Sequence, residues 1–133
     1  MHFFFDNLHL VSINAAKTVS RQGRITKTSA LGAMQREIEM TVRAQLPGQS
    51  LIVDRRKEGI SVTITSTIES SKFFTKEGLM SLTSGDIDMS IKYIIDSIFS
   101  CLDCNDAQII DLIVKKRCGH RKSLTVTIDV VNL

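Results

Sequence analysis

Three aspartates between residues 86 and 106 are the side chains in this chain best suited to chemistry. Asp86 and Asp88 stand two positions apart at the start of a run with helical apolar spacing, and Asp106 follows just before an apolar run typical of a strand. Carboxylate oxygens are the protein ligands that Mg²⁺ prefers, alongside phosphates and waters. If the chain brings these three together, the cluster predicts metal-assisted phosphoryl transfer.

Basic side chains surround this acidic stretch, although the formal net charge of the 133-residue chain is only +3. They fall in three clusters: Lys17, Arg21, Arg24 and Lys27; Arg55, Arg56 and Lys57; and Lys115, Lys116, Arg117, Arg121 and Lys122. One such cluster is typical of a solvated turn, but three together favour a polyanionic partner. A nuclease needs this combination, because acidic side chains hold the metal ion and basic side chains hold the nucleic-acid backbone.

Length and composition predict a single domain over residues 1–133. A chain of this size with 43% hydrophobic residues can bury one core, and it is short for two ordinary domains. Three cysteines without a secreted spacing pattern predict a cytoplasmic protein with free thiols, and no apolar run is long enough to cross a membrane. Cys101 and Cys104 form a lone C-x-x-C, which we interpret as core filling rather than zinc binding.

The first half of the chain predicts a strand, a helix and a hairpin. Apolar residues between Phe3 and Val11 indicate a first strand or strand pair, and a basic loop follows. Helical spacing predicts a helix over 29–46, stopped by Pro47 and Gly48. The apolar segment 51–53, a charged turn and the alternating segment 60–64 predict a β-hairpin.

The second half predicts a loop, a helix and two strands. Residues 70–84 are read as a loop, and Ser84 or Asp86 is expected to cap a helix whose buried stripe ends at Leu102. Residues 109–114 form an apolar strand and 124–130 an alternating one, with a turn at 118–120 between them. The expected fold is therefore α/β, a single-domain mixed sheet in the order β-α-β-β-α-β-β with helices packed on the sheet.

The acidic segments carry a family resemblance. Asp86-Ile87-Asp88 with Lys92 four positions later, and then Asn105-Asp106-Ala107-Gln108, resemble the RusA-type Holliday junction resolvases. These are small metal-dependent endodeoxyribonucleases carried largely by phages and prophages. In the family, an Asp-x-Asp-Asn-x-x-Lys motif opens a helix, and an Asp-Asp segment follows about twenty residues later. Ser12, Asn14 and Gly23-Arg24 resemble the family's N-terminal signature and basic loop.

The resemblance implies a site and a substrate. Asp86, Asp88 and Asp106 match the family's ligands for Mg²⁺ or Mn²⁺, Lys92 matches a lysine near the scissile phosphate, and Asn14 and Asp111 are expected to support the ligands. The substrate is four-way or otherwise branched DNA, resolved by paired nicking by a homodimer in the cytoplasm of a bacterial cell. The side chains expected to contact DNA are basic: Lys17, Arg21, Arg24, Lys27, Arg55, Arg56, Lys76, Lys116, Arg117 and Arg121.

Other interpretations remain open from the residues themselves. Asp86 and Asp88 also suit the first turn of a helix, where carboxylates complement the macrodipole, and Lys92 suits an i,i+4 ion pair with Asp88. Met89 stands where the family usually has Asn, which keeps open a non-catalytic protein that binds branched or single-stranded nucleic acid. Only the spacing of the acids argues against a purely structural role.

Overall fold

The computed structural model describes residues 1–11, 17–19, 21–46, 50–82 and 90–133. Within this part of the chain lie six strands, three helices and one 3₁₀ turn. In chain order they are β1 (His2–Asp6), β2 (Lys17–Val19), β3 (Ile25–Lys27), α1 (Ser29–Gln45), β4 (Glu58–Glu69), α2 (Ser70–Phe73), α3 (Ile91–Leu102), the 3₁₀ turn Asp106–Gln108, β5 (Ile109–Gly119) and β6 (Ser123–Asn132).

Four of the strands form one mixed sheet in the order β1-β6-β4-β5. β6 runs antiparallel to both β1 and β4, whereas β5 runs parallel to β4 at the edge of the sheet. The predicted α/β class with a mixed sheet is thus confirmed. Because a parallel pair shares its direction, the starts of β4 and β5 meet at one end of the sheet and their last residues meet at the other.

The core lies between one face of this sheet and helices α1 and α3. Thr28 caps α1, because its hydroxyl accepts a hydrogen bond from the Leu31 amide (3.3 Å). The buried stripe of α1 is Leu31, Met34, Ile38 and Val42, at the spacing that the sequence predicted. Burying an aliphatic side chain of this size contributes about 1.5 to 3 kcal/mol, which fixes α1 on the sheet.

Helix α3 contributes the second buried stripe, including Ile94, Ile98 and Leu102. At its start the buried Ser90 hydroxyl donates a hydrogen bond to the Val11 carbonyl oxygen (2.6 Å), which ties the helix to the segment after β1. At its end Asp103 adopts a left-handed conformation with φ 54°. The chain therefore reverses directly after α3 and returns to the sheet as β5.

The opposite face of the sheet carries threonines on its two central strands, β4 and β6. The strand register places His2, Thr127, Thr63 and Ile113 in one row across it. The next row is Phe4, Thr125, Thr65 and Lys115. The threonines are half-buried and Phe4 is 50% exposed. Phe3 and Phe5, in contrast, belong to the core, so the apolar start of the chain serves mainly packing.

The predicted hairpin at 51–64 is wrong. Leu51, Ile52 and Val53 form no strand, and the turn that follows is closed by hydrogen bonds from the Lys57 and Glu58 amides to the Asp54 carbonyl oxygen. β4 pairs with β5 on one edge and β6 on the other, so neither edge is left for a third strand. Leu51 and Val53 instead pack against the core.

Three other segments differ from expectation. The basic segment after the first strand includes a two-stranded ribbon, β2 with β3, whose turn holds Gly23 at φ 76°. Residues 70–82, expected to be a loop, begin with the single helical turn α2 and include a bridge between Phe74 and Met80. The last strand but one, predicted over 109–114, continues to Gly119 and so includes part of the turn predicted at 118–120.

Helix α3 begins at Ile91 with Ser90 in the cap position, rather than at the predicted cap residues Ser84 or Asp86. Those two residues lie outside the described part of the chain. None of the helices among the described residues combines the length and the hydropathy needed to cross a membrane.

Candidate functional site

Asp106 lies on the 3₁₀ turn that joins α3 to β5. The turn is held by a reciprocal cap: the Asn105 side chain accepts from the Ala107 amide (2.8 Å), and the Gln108 side chain accepts from the Asn105 amide (3.2 Å). The backbone around Asp106 is therefore fixed while the residue itself is exposed. A carboxylate held in this way is well placed to bind a cation or a substrate group.

Asp106 borders an open groove of about 460 Å³ at the C-terminal end of α3. Two further carboxylates, Asp96 and Asp103, line the same groove with Phe99 and Cys104. Neither Asp96 nor Asp103 is among the residues that the sequence predicts for the site. Their spacing of seven residues, two turns of one helix face, was the available signal that they share a side of α3.

The thiol of Cys104, which lines this groove, has a raised pKa. Burial raises the pKa of that thiol above its ordinary value, and the nearby Asp103 carboxylate raises it further. The hydrogen bond from Cys104 to the Leu51 carbonyl oxygen acts in the opposite direction. Cys104 and Cys101 pack against the core, as expected of core-filling thiols.

Asp86 and Asp88, the other two predicted metal ligands, and Asn14, the predicted supporting residue, lie outside the described residues. Among the residues that the structure describes, no group of three His, Cys, Asp or Glu side chains is arranged to hold a metal ion. The three-aspartate site therefore stays a prediction, with Asp106 as its described member.

Lys92 is exposed in the first turn of α3. Asp106 follows the other end of this 12-residue helix, which is about 18 Å long at 1.5 Å per residue. Lys92 and Asp106 therefore lie toward opposite ends of α3.

Two of the predicted DNA-contacting arginines lie at the same end of the sheet as Asp106. Arg55 and Arg56 are exposed in the turn before β4, and Asp106 lies in the turn before β5. Because β4 and β5 are parallel, these turns are neighbours. Asp111, predicted to support the ligands, is exposed on β5 opposite Ser61, also toward this end. We call this the acidic end of the sheet.

The basic residues of β5 lie at the other end of the sheet. Lys116 and Arg117 pair with Ser66 and Thr67 near the end of β4, and Arg121 follows in the turn to β6. Arg117 is eight residues beyond Ile109, about 26 Å along an extended strand. We call this the basic end. Within one chain, then, Arg117 and Asp106 lie toward opposite ends of the same strand.

All three side chains of the basic end have partners in the chain, and the Arg117 guanidinium donates to the Lys116 carbonyl oxygen (2.9 Å). Arg121 donates a hydrogen bond to the Asp6 carboxylate (2.6 Å), and both side chains remain substantially exposed. The ammonium of Lys116 lies 5.8 Å from the centre of the Phe73 ring. An exposed ion pair contributes only about 0 to 1 kcal/mol, so Arg121 can exchange Asp6 for a phosphate at little cost.

The remaining predicted DNA contacts are also at the surface. Lys17, Arg21, Arg24 and Lys27 are exposed on the β2–β3 ribbon and its turn, and Lys76 is exposed in the bridged segment after α2. The Lys27 ammonium donates to the Gln35 side-chain oxygen (3.0 Å), which ties the ribbon to α1. All ten predicted contacts are thus exposed or, for Lys116, half-buried.

Comparison with known proteins adds one finding. The family model described as endodeoxyribonuclease RusA matches residues 10–129, most of the chain, and this span includes every predicted metal ligand. No curated protein matches the chain.

Proposed function

We propose that this chain, which belongs to the RusA endodeoxyribonuclease family, is a metal-dependent nuclease that resolves Holliday junctions as a homodimer. The family implies an endonuclease that resolves such junctions. The observation that carries the proposal is the family match over residues 10–129, because it spans Asp86, Asp88, Lys92 and Asp106 together. A phage or prophage setting, with action in a bacterial cytoplasm, follows from the same family.

Magnesium or manganese fits the described part of the proposed site. Asp106 offers an exposed carboxylate on a fixed turn, and Asp96 and Asp103 add negative charge in the same groove. Oxygen ligands of this kind suit hard divalent cations rather than zinc. Asp86, Asp88 and Asp106 would hold the ion, which when bound would activate a water and stabilise charge on the departing 3′ oxygen.

The chain's own cations have separate tasks in this proposal. Lys92 places a positive charge near the scissile phosphate from the first turn of α3. Arg55 and Arg56, at the acidic end, contact the backbone beside the site. The other basic side chains hold the arms of the junction through phosphate contacts, which position the DNA without reading its sequence.

A homodimer follows from the symmetry of the substrate. A four-way junction is resolved by nicks in two opposed strands, and one acidic site per chain makes one nick per encounter. A two-fold dimer presents two sites related by the same axis as the junction arms.

The alternative is a protein of the same fold that binds branched DNA without cutting it. Met89 is the observation that favours it, because a thioether cannot hydrogen-bond a neighbouring carboxylate or metal-bound water as Asn does.

Cleavage of a synthetic mobile four-way junction with Mg²⁺ or Mn²⁺ distinguishes the nuclease from the non-cutting binding protein. We expect symmetric nicks for the parent protein, and loss of nicking with retained binding for Asp88→Asn, which removes a ligand and also lessens repulsion of phosphates. Tight binding by the parent without nicks in either metal would establish the binding protein instead.

A further inference from the structure

The edge strand β5 has an apolar surface that the described part of the chain leaves uncovered. β5 is 11 residues long and pairs with β4 on one side, and no described strand pairs with its other side. Ile110, Leu112 and Ile113 are 46%, 47% and 47% exposed. A long apolar edge of this kind is a template for pairing with another strand, and monomeric proteins usually protect it.

The charges on β5 indicate which strand pairs there. Asp111, Lys115 and Arg117 are exposed at alternate positions, so they lie on one face of the sheet, with the acid toward the start of the strand and the cations toward its end. A second copy of β5 in parallel would place like charges opposite each other. An antiparallel copy places Asp111 opposite a cation.

Two registers satisfy this arrangement. A two-fold axis perpendicular to the sheet at Ile113 pairs Asp111 of each copy with Lys115 of the other. An axis at Val114 pairs Asp111 with Arg117. Directly opposed residues share a face in an antiparallel pair, and opposite charges there contribute about 0.2 to 1 kcal/mol per pair.

The same antiparallel pairing brings the basic end of one copy next to the acidic end of the other. With the axis at Ile113, Arg117 of one copy lies opposite Ile109 of the other, three residues after Asp106. With the axis at Val114, Arg117 lies opposite Asp111. In both registers the cations of one copy lie beside the acidic end of the other.

We infer that a second copy of this chain docks β5 antiparallel to β5, so that each nuclease site combines Asp106 of one copy with Lys115 and Arg117 of the other. The inference rests on the proposed nuclease function for the role of the combined site, although the pairing itself can be measured without DNA. With the axis at Ile113, Leu112 would then pack against Val114 of the partner strand, and in either register the exposed edge would be covered.

Symmetric disulfide formation tests the pairing. In a background with Cys101, Cys104 and Cys118 replaced by Ser or Ala, a cysteine on the two-fold axis faces its own copy. Opposed residues lie about 4.5 to 5.5 Å apart between Cα atoms, within the range of a disulfide. We expect Ile113→Cys or Val114→Cys, according to the register, to form a covalent dimer under mild oxidation. The matched control Ile25→Cys, exposed on the β2–β3 ribbon, should stay monomeric on a non-reducing gel.

Charge exchange gives a second readout. Asp111→Lys should weaken the dimer in sedimentation analysis, and pairing it with Lys115→Asp or with Arg117→Asp should restore it in the matching register. Ile52→Lys, which is 85% exposed before β4, is the control and should leave the dimer unchanged. No cross-link at either axis position, with no effect of Asp111→Lys on the dimer, would overturn the inferred interface.

The two proposals fail in different ways. A protein that nicks junctions as a dimer but forms no cross-link at residue 113 or 114 overturns the interface and keeps the nuclease. A protein that cross-links at the axis but never nicks overturns the nuclease and keeps the interface.

Discussion

The acidic end and the basic end of the β4–β5 pair differ in how their charged side chains are held. At the acidic end, reciprocal hydrogen bonds of Asn105 and Gln108 fix the turn that carries Asp106. At the basic end, Arg121 is held by an exposed ion pair to Asp6. A metal ligand needs a fixed position, whereas a phosphate contact tolerates movement along the backbone. This difference fits the proposed function, in which the acidic end holds the metal ion and the basic end holds the DNA backbone.

The distance between the acidic end and the basic end limits how one chain can use both on the same junction. About 26 Å of strand lies between Ile109 and Arg117 in one chain, so the two tasks meet on one junction only if the DNA spans both ends or if two chains align them.

Asp106→Asn should give the largest effect. Replacing a metal ligand with a neutral amide should reduce junction cleavage by more than about 100-fold, the upper range for loss of a residue that merely supports a ligand. Asp103→Asn is the matched control, because Asp103 lines the same groove and Asn tolerates its left-handed backbone. Single-turnover cleavage at saturating protein measures both variants. Equal losses for the two would show that the groove's total charge matters and not a ligand at residue 106.

Arg117→Ala should alter binding more than chemistry. Losing one phosphate contact should reduce the slope of log affinity against log salt by about 0.9 on duplex arms. The control is Arg43→Ala, exposed in the last turn of α1 and outside the predicted contact set. Junction affinity titrated at several salt concentrations gives the slopes. A slope that Arg117→Ala leaves at the parent value would remove the basic end from the DNA-binding surface.

The cysteines report on the two ends without DNA. Cys104, at the acidic end, has a raised pKa through burial and the charge of Asp103, so at pH 8 it holds less thiolate than an ordinary cysteine. Cys118, at the basic end, is exposed. We expect iodoacetamide to modify Cys118 first. The rate of Cys104 modification should keep rising at pH values at which an ordinary thiol is already ionised. Mass spectrometry of timed samples measures this, with Cys118→Ser as the control, and faster modification of Cys104 would contradict the assigned environment.

Asp6→Asn should give the smallest effect of these changes, a slight loss of stability. The pair with Arg121 is exposed, so its loss should reduce the free energy of unfolding by no more than about 1 kcal/mol. Junction affinity should rise, because Arg121 becomes available to phosphate and one repelling carboxylate is lost. Urea unfolding and junction titration measure the two quantities, and weaker DNA binding would show that Asp6 positions Arg121 for its contact.

The helices were the part of the fold that the sequence predicted best. The apolar stripe from Leu31 to Val42 repeats every three or four residues, and a helix buries such a stripe by packing that one face on a sheet. The segment 51–53 was misread because an apolar triplet before a turn suits a strand locally. Whether it becomes one depends on a free sheet edge, and β5, more than fifty residues later, occupies that edge instead.

The candidate site was predictable only in part. The types and spacing of Asp86, Asp88 and Asp106 and the family motif they form were visible in the sequence. The groove that Asp96 and Asp103 share with Asp106 was not, because it depends on where α3 ends. The separation of Arg117 from Asp106 was likewise hidden, since it follows from the parallel pairing of β4 with β5.

Mixing a variant that lacks the metal ligand with one that lacks the cations tests most directly the claim that the acidic end of one copy works with the basic end of another. One partner carries Asp106→Asn, and the other carries Lys115→Ala with Arg117→Ala. In a mixed dimer across β5, one site regains an intact Asp106 beside intact cations, so we predict that mixing and subunit exchange restore nicking of one junction strand. Mixtures no more active than either variant alone, despite confirmed mixed dimers, would contradict the account.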